Sequence, residues 1–163
     1  MKKLIVVILV TLAILTGCGT NRAEEITEPA GQLQLGNPWK SYDTLADAET
    51  ACGLTFSMPG NVPAGYEVVS YRVMNGSLLE VTYQNGEAEI TVRMQAGDDA
   101  DISGVYENFT DAETFDQNGA VITRKQAVNC RVYLIQTNGY TFSICATGSA
   151  SDDACQEILS HLC

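Results

Sequence analysis

The sequence predicts an α+β fold: a mostly antiparallel, meandering sheet of about eight strands with one helix before its main body and one after it. Two observations carry that expectation. Alternating apolar and polar runs are punctuated by Asn75-Gly76, Asn85-Gly86, Asn118-Gly119 and Asn138-Gly139, and Asn-Gly is the strongest short-range hairpin signal because both central positions of a type I′ turn need positive φ. Helical periodicity, by contrast, is confined to two short stretches near the ends of the folded part. The stretch from Tyr66 to Met94 organises the rest. With Gln84 and Glu87 flanking a two-residue turn, Tyr83 faces Ala88, Val81 faces Ile90 and Leu79 faces Val92, so every pair on one face is apolar. Glu80, Thr82, Glu89, Thr91 and Arg93 share the other face, which is expected to meet water or a partner. At Asn75-Gly76 a tight turn would put Tyr71 against Glu80. A longer loop, aligning Val69, Tyr71 and Val73 with Tyr83, Val81 and Leu79, is therefore preferred.

Residues 1–17 read as a secretion signal. Lys2 and Lys3 precede the apolar run Leu4 to Leu15, which is shorter than the roughly 20 residues a bilayer core requires. Leu15-Thr16-Gly17-Cys18 has the form of a bacterial lipobox, in which the Cys18 thiol is acylated and becomes the mature N-terminus. Two or three acyl chains, at about 0.8 kcal/mol per buried methylene, would anchor the chain to the membrane in an effectively permanent way. Residues 18–37 then form the lipidated cysteine and a polar tether, rich in Glu, Pro, Gly and Gln. Removal of the signal takes Lys2 and Lys3 but no acidic residue, so the net charge moves from −11 to −13. A chain so acidic is repelled by phosphate backbones, which excludes nucleic acid as a partner.

Residues 38–163 are expected to form a single α+β domain. It opens at Pro38-Trp39, with Trp39 and Tyr42 read as closing the edge of the core rather than as a ligand platform. Thr44-Leu-Ala-Asp47 offers a capping box, Leu45, Ala48, Ala51 and Cys52 fall on one helical stripe, and Gly53 stops the helix. Leu54 to Met58 alternates as a short strand, and Pro59 to Gly65 is a turn before the three central strands. Gly97 to Asn108 is a long acidic loop. Thr110 to Phe115 and Ala120 to Gln126 form a further hairpin, as do Arg131 to Thr137 and Tyr140 to Ala146, where Ile135 faces Phe142 and Tyr133 faces Ile144. Ser151-Asp152-Asp153 caps a last helix with an apolar stripe of Ala154, Ile158, Leu159 and Leu162.

Several stretches together resemble a known family. They are Asn37-Pro-Trp39 with Tyr42 and Leu45-Ala-Asp-Ala-Glu49, then Pro59 and Pro63-Ala-Gly-Tyr66, Ile90-Thr-Val-Arg93, Gly97, Asp101-Ile-Ser-Gly104 with Tyr106, and Tyr140-Thr-Phe-Ser-Ile144. This pattern is similar to a domain of unknown function found in lipoproteins and membrane-tethered proteins of Gram-positive bacteria. The resemblance covers most of the mature chain and implies an extracytoplasmic α+β domain. It brings no activity, substrate or catalytic residue with it.

Chemistry-bearing motifs are few. Asp99, Asp101 and Ser103 before Gly104 have the spacing of the opening of a calcium loop, but position 12 is Thr110 where a bidentate Glu is needed and Glu107 stands only at position 9. The alternative is a solvated acidic loop in which Asp101 and Ser103 bond turn amides while Ile102 and Tyr106 pin it to the core. No metal or cofactor is expected. The sole histidine, His161, falls on the polar side of the last helix, and serine-nucleophile, zinc-protease and phosphate-loop motifs are absent. Arg93 and Arg131 are expected to pair with nearby carboxylates. Apart from Cys18, five cysteines remain: Cys52, Cys130, Cys145, Cys155 and Cys163. Cys155 and Cys163 stand about 12 Å apart on a helix, too far for a disulfide. Cys130, Cys145 and Cys155 are expected to cluster, with any bridge joining Cys155 to one of the other two. Functionally the sequence favours a membrane-tethered, non-catalytic module that binds a protein, peptide or envelope component. Its partner-binding loop would carry Asp98, Asp99, Asp101, Ser103, Tyr106 and Glu107. A hydrolase using acidic residues and a carrier of apolar ligands are the alternatives.

Overall fold

The computed structural model describes residues 36–56, 63–98 and 101–163; the signal, Cys18 and nearly all of the tether lie outside the described residues, as do Asp99 and the segment 57–62. In chain order the elements are β1 (Trp39–Tyr42), α1 (Leu45–Cys52), β2 (Glu67–Met74), β3 (Leu78–Asn85), β4 (Ala88–Ala96), β5 (Asp111–Gln117), β6 (Ala120–Gln126), β7 (Cys130–Thr137), β8 (Tyr140–Thr147) and α2 (Asp152–Leu162). The eight strands make one antiparallel sheet in the order β1-β2-β3-β4-β8-β7-β6-β5. The fold class is α+β with a dominant sheet, as the hairpin signals predict.

The turns follow from their residues. Asn118-Gly119 and Asn138-Gly139 have positive φ at both central positions, which sets Gln117 opposite Ala120 and Thr137 opposite Tyr140. Ile135 pairs with Phe142 and Tyr133 with Ile144. At Asn75 and Gly76 φ is also positive, but the loop takes in Ser77, whose N–H donates to the Met74 carbonyl. Tyr71 thus meets Val81 and Val73 meets Leu79, while a bulge displaces Val69 so that Val68 pairs with Tyr83. The β3–β4 turn departs from expectation. Its central residues are Gly86 and Glu87, with Gly86 alone at positive φ, so Tyr83 pairs with Ile90 and Val81 with Val92. The slip is of two residues, which leaves every side chain on its expected face.

One further strand differs. Leu54 to Phe56 makes no ladder; its alternating burial comes from Leu54 and Phe56 turning into the core. The eighth strand is instead β1, which pairs with β2 along Trp39 to Tyr42. Both helices cover the same sheet face. Thr44 caps α1 by accepting from the Asp47 N–H, and Gly53 ends it at φ 70°. Ala48 of α1, Ile158 and Leu159 of α2, and Leu79, Ile90, Val92, Ile135 and Ile144 of the sheet share one buried cluster. Ala51 is exposed, so the α1 stripe is narrower than its spacing suggests.

The sheet order also accounts for the length of the segment between β4 and β5. Because directions alternate across β8, β7 and β6, β4 and β5 run parallel, and the chain must pass from the top of one to the bottom of the other. Gly97 donates to Gly139 at the upper turn, and Thr110 donates to Gln126 at the lower one. Four inter-strand spacings at about 4.8 Å, combined with the height of an eight-residue strand, give a diagonal of roughly 30 Å. Residues 97–110 can reach up to about 46 Å, so the segment spans that path with slack. It is a crossover strap on the second face of the sheet.

A buried ion row and its strap as candidate functional site

The second face is not bare. A row of residues runs across all eight strands in direct register: Ser41, Arg72, Glu80, Arg93, Ser143, Leu134, Thr123 and Thr114. At its centre Glu80 is 0 % exposed. A carboxylate buried to that degree must be paired, and it takes two arginines. The Arg72 Nε donates to Oε1 at 2.7 Å, assisted by Arg72 Nη2, while the Arg93 Nε donates to Oε2 at 2.8 Å. The Arg93 Nη1 then reaches the Ile102 carbonyl of the strap at 3.0 Å. Trp39 lies against both guanidinium groups, 4.9 Å from Arg72 and 5.5 Å from Arg93. Arg131, the other arginine expected to pair with a carboxylate, meets Asp152. Tyr42 packs at the edge of the main core, whereas Trp39 belongs to the second face.

The strap is tied to this row at several points. Gly104, at φ 67°, approaches Arg93 so closely that a Cβ there would lie 3.0 Å from the guanidinium carbon. Asp101 Oδ1 accepts from the Ser103 N–H and hydroxyl, Ser103 Oγ accepts from the Val105 N–H, and Asp101 Oδ2 pairs with Lys125 Nζ at 2.8 Å. Upstream, Thr141 donates to the Gly97 carbonyl and Gln136 to that of Asp98. Downstream, Val105 and Phe109 pack on a second buried cluster of Ala127, Cys130 and Val132.

These contacts sort the loop residues named from sequence. Asp99 lies outside the described residues. Asp101 and Ser103 are brought together, but in an Asx-type turn whose second carboxylate oxygen holds an ammonium. Among the described residues no group of three or more His, Cys, Asp and Glu is gathered for a metal. The anchor from Tyr106 is overturned: its side chain is 99 % exposed, and Ile102, at 7 %, is the residue that enters the sheet. Glu107 is exposed, and its charge adds to burial, the larger cause, in pushing the Cys130 thiol up. His161 is exposed at the rim of a groove lined by Met94, Tyr140, Phe142 and Cys163.

Burial alone would raise the Asp101 carboxyl, yet Lys125 and the Ser103 donors outweigh it and hold the group below the usual carboxylate range. An acid depressed in the folded state contributes stability above its unfolded value of about 4, and that contribution is lost as pH falls through the folded value. Acidification below about pH 4 is therefore expected to release the Ser103 and Val105 amides to hydrogen exchange. Asp101→Ala should release them at every pH, with a global cost no larger than about 1 kcal/mol because the pair is partly exposed. Unchanged amide protection in that variant would show that the strap is held without Asp101.

Two open grooves flank the strap and share Arg93 and Gly104. One, of about 400 Å³, runs over Ser70, Arg72, Glu80, Thr82, Thr91 and Arg93, with Cys145 at its far side. The other, of about 450 Å³, lies between Trp39, Met74, Leu78, Ile102 and Tyr106. The arrangement offers hydrogen-bond donors and an aromatic wall, but its central carboxylate is committed to two cations. Glu89, which is exposed, is a second carboxylate on the first groove. No protein-family model matches the chain, and no match is found among curated proteins or solved structures.

Proposed function

We propose that the protein is a lipid-anchored extracytoplasmic module that binds its partner, without catalysis, on the strap side of the sheet. Support for the anchor comes from the Leu15-Thr16-Gly17-Cys18 pattern behind a short apolar run, together with the resemblance to a domain of Gram-positive lipoproteins. Among the described residues no helix is long and apolar enough to cross a membrane, so attachment on this reading falls to the acyl chains on Cys18. The observation that carries the binding role is Tyr106, an aromatic ring 99 % exposed on a strap tied upstream at Ile102 and Val105 and downstream at Phe109 and Thr110. A rigidly presented aromatic beside two grooves is the kind of group that dominates interfaces, because it buries large area with few torsions to freeze. The hydrolase alternative is weakened by the Glu80 row, whose carboxylate is spent on Arg72 and Arg93. The carrier alternative is weakened by the open, partly polar grooves.

Two measurements test this reading. Cys18→Ala should move the protein from the membrane fraction into soluble or uncleaved form, and a wild-type N-terminus without acyl mass would refute the anchor. For the binding face, a photo-crosslinking residue at position 106 in living cells should give discrete adducts, while one at the exposed Ser160 of α2 should not. Tyr106→Ala should remove binding of the captured partner and leave Tm unchanged, since the ring has no intramolecular burial to lose. Equal adducts from positions 106 and 160, or full binding by Tyr106→Ala, would place the interface elsewhere.

A further inference from the structure

The thiols fall into groups that differ from those expected. Cys155, on the sheet-facing side of α2, is 0 % exposed in the main core, whereas Cys130 and Cys145 are on the opposite side of the sheet in the second cluster. The sheet itself separates Cys155 from both, which rules out the bridges expected from the sequence. Cys130 and Cys145, by contrast, are neighbours. Cys130 pairs with Thr147 and Cys145 with Val132 on adjacent antiparallel strands, so the two share a face along a diagonal. Diagonal positions have Cα atoms about 7–8 Å apart with side chains closer, just beyond the usual range for a disulfide, so closure takes a small backbone shift. Two facts favour the pair. Both are free thiols whose side chains pack in the same second cluster, and Cys130 is the first residue of β7, next to the 127–129 turn.

We propose that Cys130 and Cys145 form a disulfide that staples the open end of the β7–β8 hairpin, opposite its Asn138-Gly139 turn. In the reaction two S–H bonds break and one Sγ–Sγ bond forms. The pair gives up two electrons and two protons to an incoming disulfide, which leaves as two thiols. The proposal rests on the extracytoplasmic reading for its supply of oxidant, since disulfides persist in exported proteins. Burial first, and then the neighbouring Cys130 thiol, push the Cys145 thiol up to about 12. A thiol so rarely ionised attacks slowly in the folded protein and makes a poor leaving group once bridged. Cys130 is 6 % exposed, so a reductant reaches the bond poorly once it has formed, and the bond acts as a staple. Its place also suits the site, because Val105 and Phe109 of the strap pack on the same cluster.

The test uses the full chain, reduced and unfolded, then refolded in a mixture of reduced and oxidised glutathione, and its chemistry is independent of where the protein resides in the cell. Free thiols are alkylated and the chain is digested without reduction. Trypsin must be joined by a protease that cuts after acidic residues, because no Lys or Arg separates Cys145 from Cys155 and Cys163. The expected result is a dominant Cys130–Cys145 peptide, lighter by two hydrogens than its parts, with Cys52, Cys155 and Cys163 alkylated. Cys155→Ala should retain the bridge, and Cys130→Ser and Cys145→Ser should each lose it. A folded chain with both thiols alkylated, or a dominant bridge to any other cysteine, overturns the proposal. If the bridge forms in the refolded chain but Cys18 carries no acyl group in cells, the localisation fails and the pairing stands.

Discussion

Glu80→Ala is expected to lower stability by about 3–5 kcal/mol, the usual cost of removing one member of a buried ion cluster. The carboxylate is wholly enclosed, and Arg93, with 17 % side-chain exposure, would be left with only the Ile102 carbonyl and the Trp39 ring as partners. In a domain of this size such a loss should shift Tm downward by roughly 10 °C or more. The cost belongs to the orphaned guanidinium and not to the absence of attraction, which gives the experiment a second arm. Glu80→Met combined with Arg93→Leu removes the carboxylate and the more buried of its two arginines and leaves only Arg72, whose side chain is 38 % exposed and can turn to water, so most of the loss should return. Thermal unfolding of the two variants beside the wild type decides the matter. A Glu80→Ala cost under about 1 kcal/mol would mean the row behaves as ordinary surface pairs.

Gly148→Ala is the second large effect. Gly148 follows β8 at φ 63°, and a Cβ there would meet the backbone of the β3–β4 turn, 3.2 Å from the Glu87 carbonyl carbon and 3.5 Å from the Ala88 Cα. A left-handed conformation costs a side-chain-bearing residue roughly 1–2 kcal/mol, and overpacking against atoms that cannot swing aside adds roughly 1–3 kcal/mol. At Gly119, where φ is also positive but nothing lies within 4 Å, the same substitution should cost only the conformational part. Equal losses at the two positions in urea unfolding would show that the contact with Glu87 relaxes freely.

Much of this architecture is legible in the residues, and the failures have physical causes. Asn118-Gly119 and Asn138-Gly139 fix their hairpins to the residue because the turn demands positive φ at two positions and only those residues supply it. At Asn85-Gly86 the same signal misleads by two residues, since glycine alone satisfies a turn with one positive φ, and Asn85 becomes the last residue of β3. β1 is hidden because a four-residue edge strand has too little alternation to show. The reason for the strap is hidden more deeply. Its acidic composition suggests a functional loop, but its length follows from β4 pairing with β8, a contact between distant parts of the chain that no local pattern records. The same holds for Glu80, which in sequence is one polar residue among alternating ones, and for the thiols, whose grouping depends on which side of the sheet each occupies.

That pairing of β4 with β8 bears on how the chain reaches its native state. Every other strand contact joins neighbours in chain order, so β1–β4 and β5–β8 are two local meanders that can form independently, while the seam from Glu89–Thr147 to Ala96–Tyr140 must wait for them to meet. Closing one long loop adds only about 0.6 kcal/mol for each doubling of its length, so the seam is cheap to reach but late to form. Contacts absent from the transition state act on the escape rate rather than the arrival rate. Gly148, lodged against the far side of the seam, should therefore show its loss as faster unfolding with refolding nearly unchanged, and the chain's kinetic lifetime is set along this single line of hydrogen bonds.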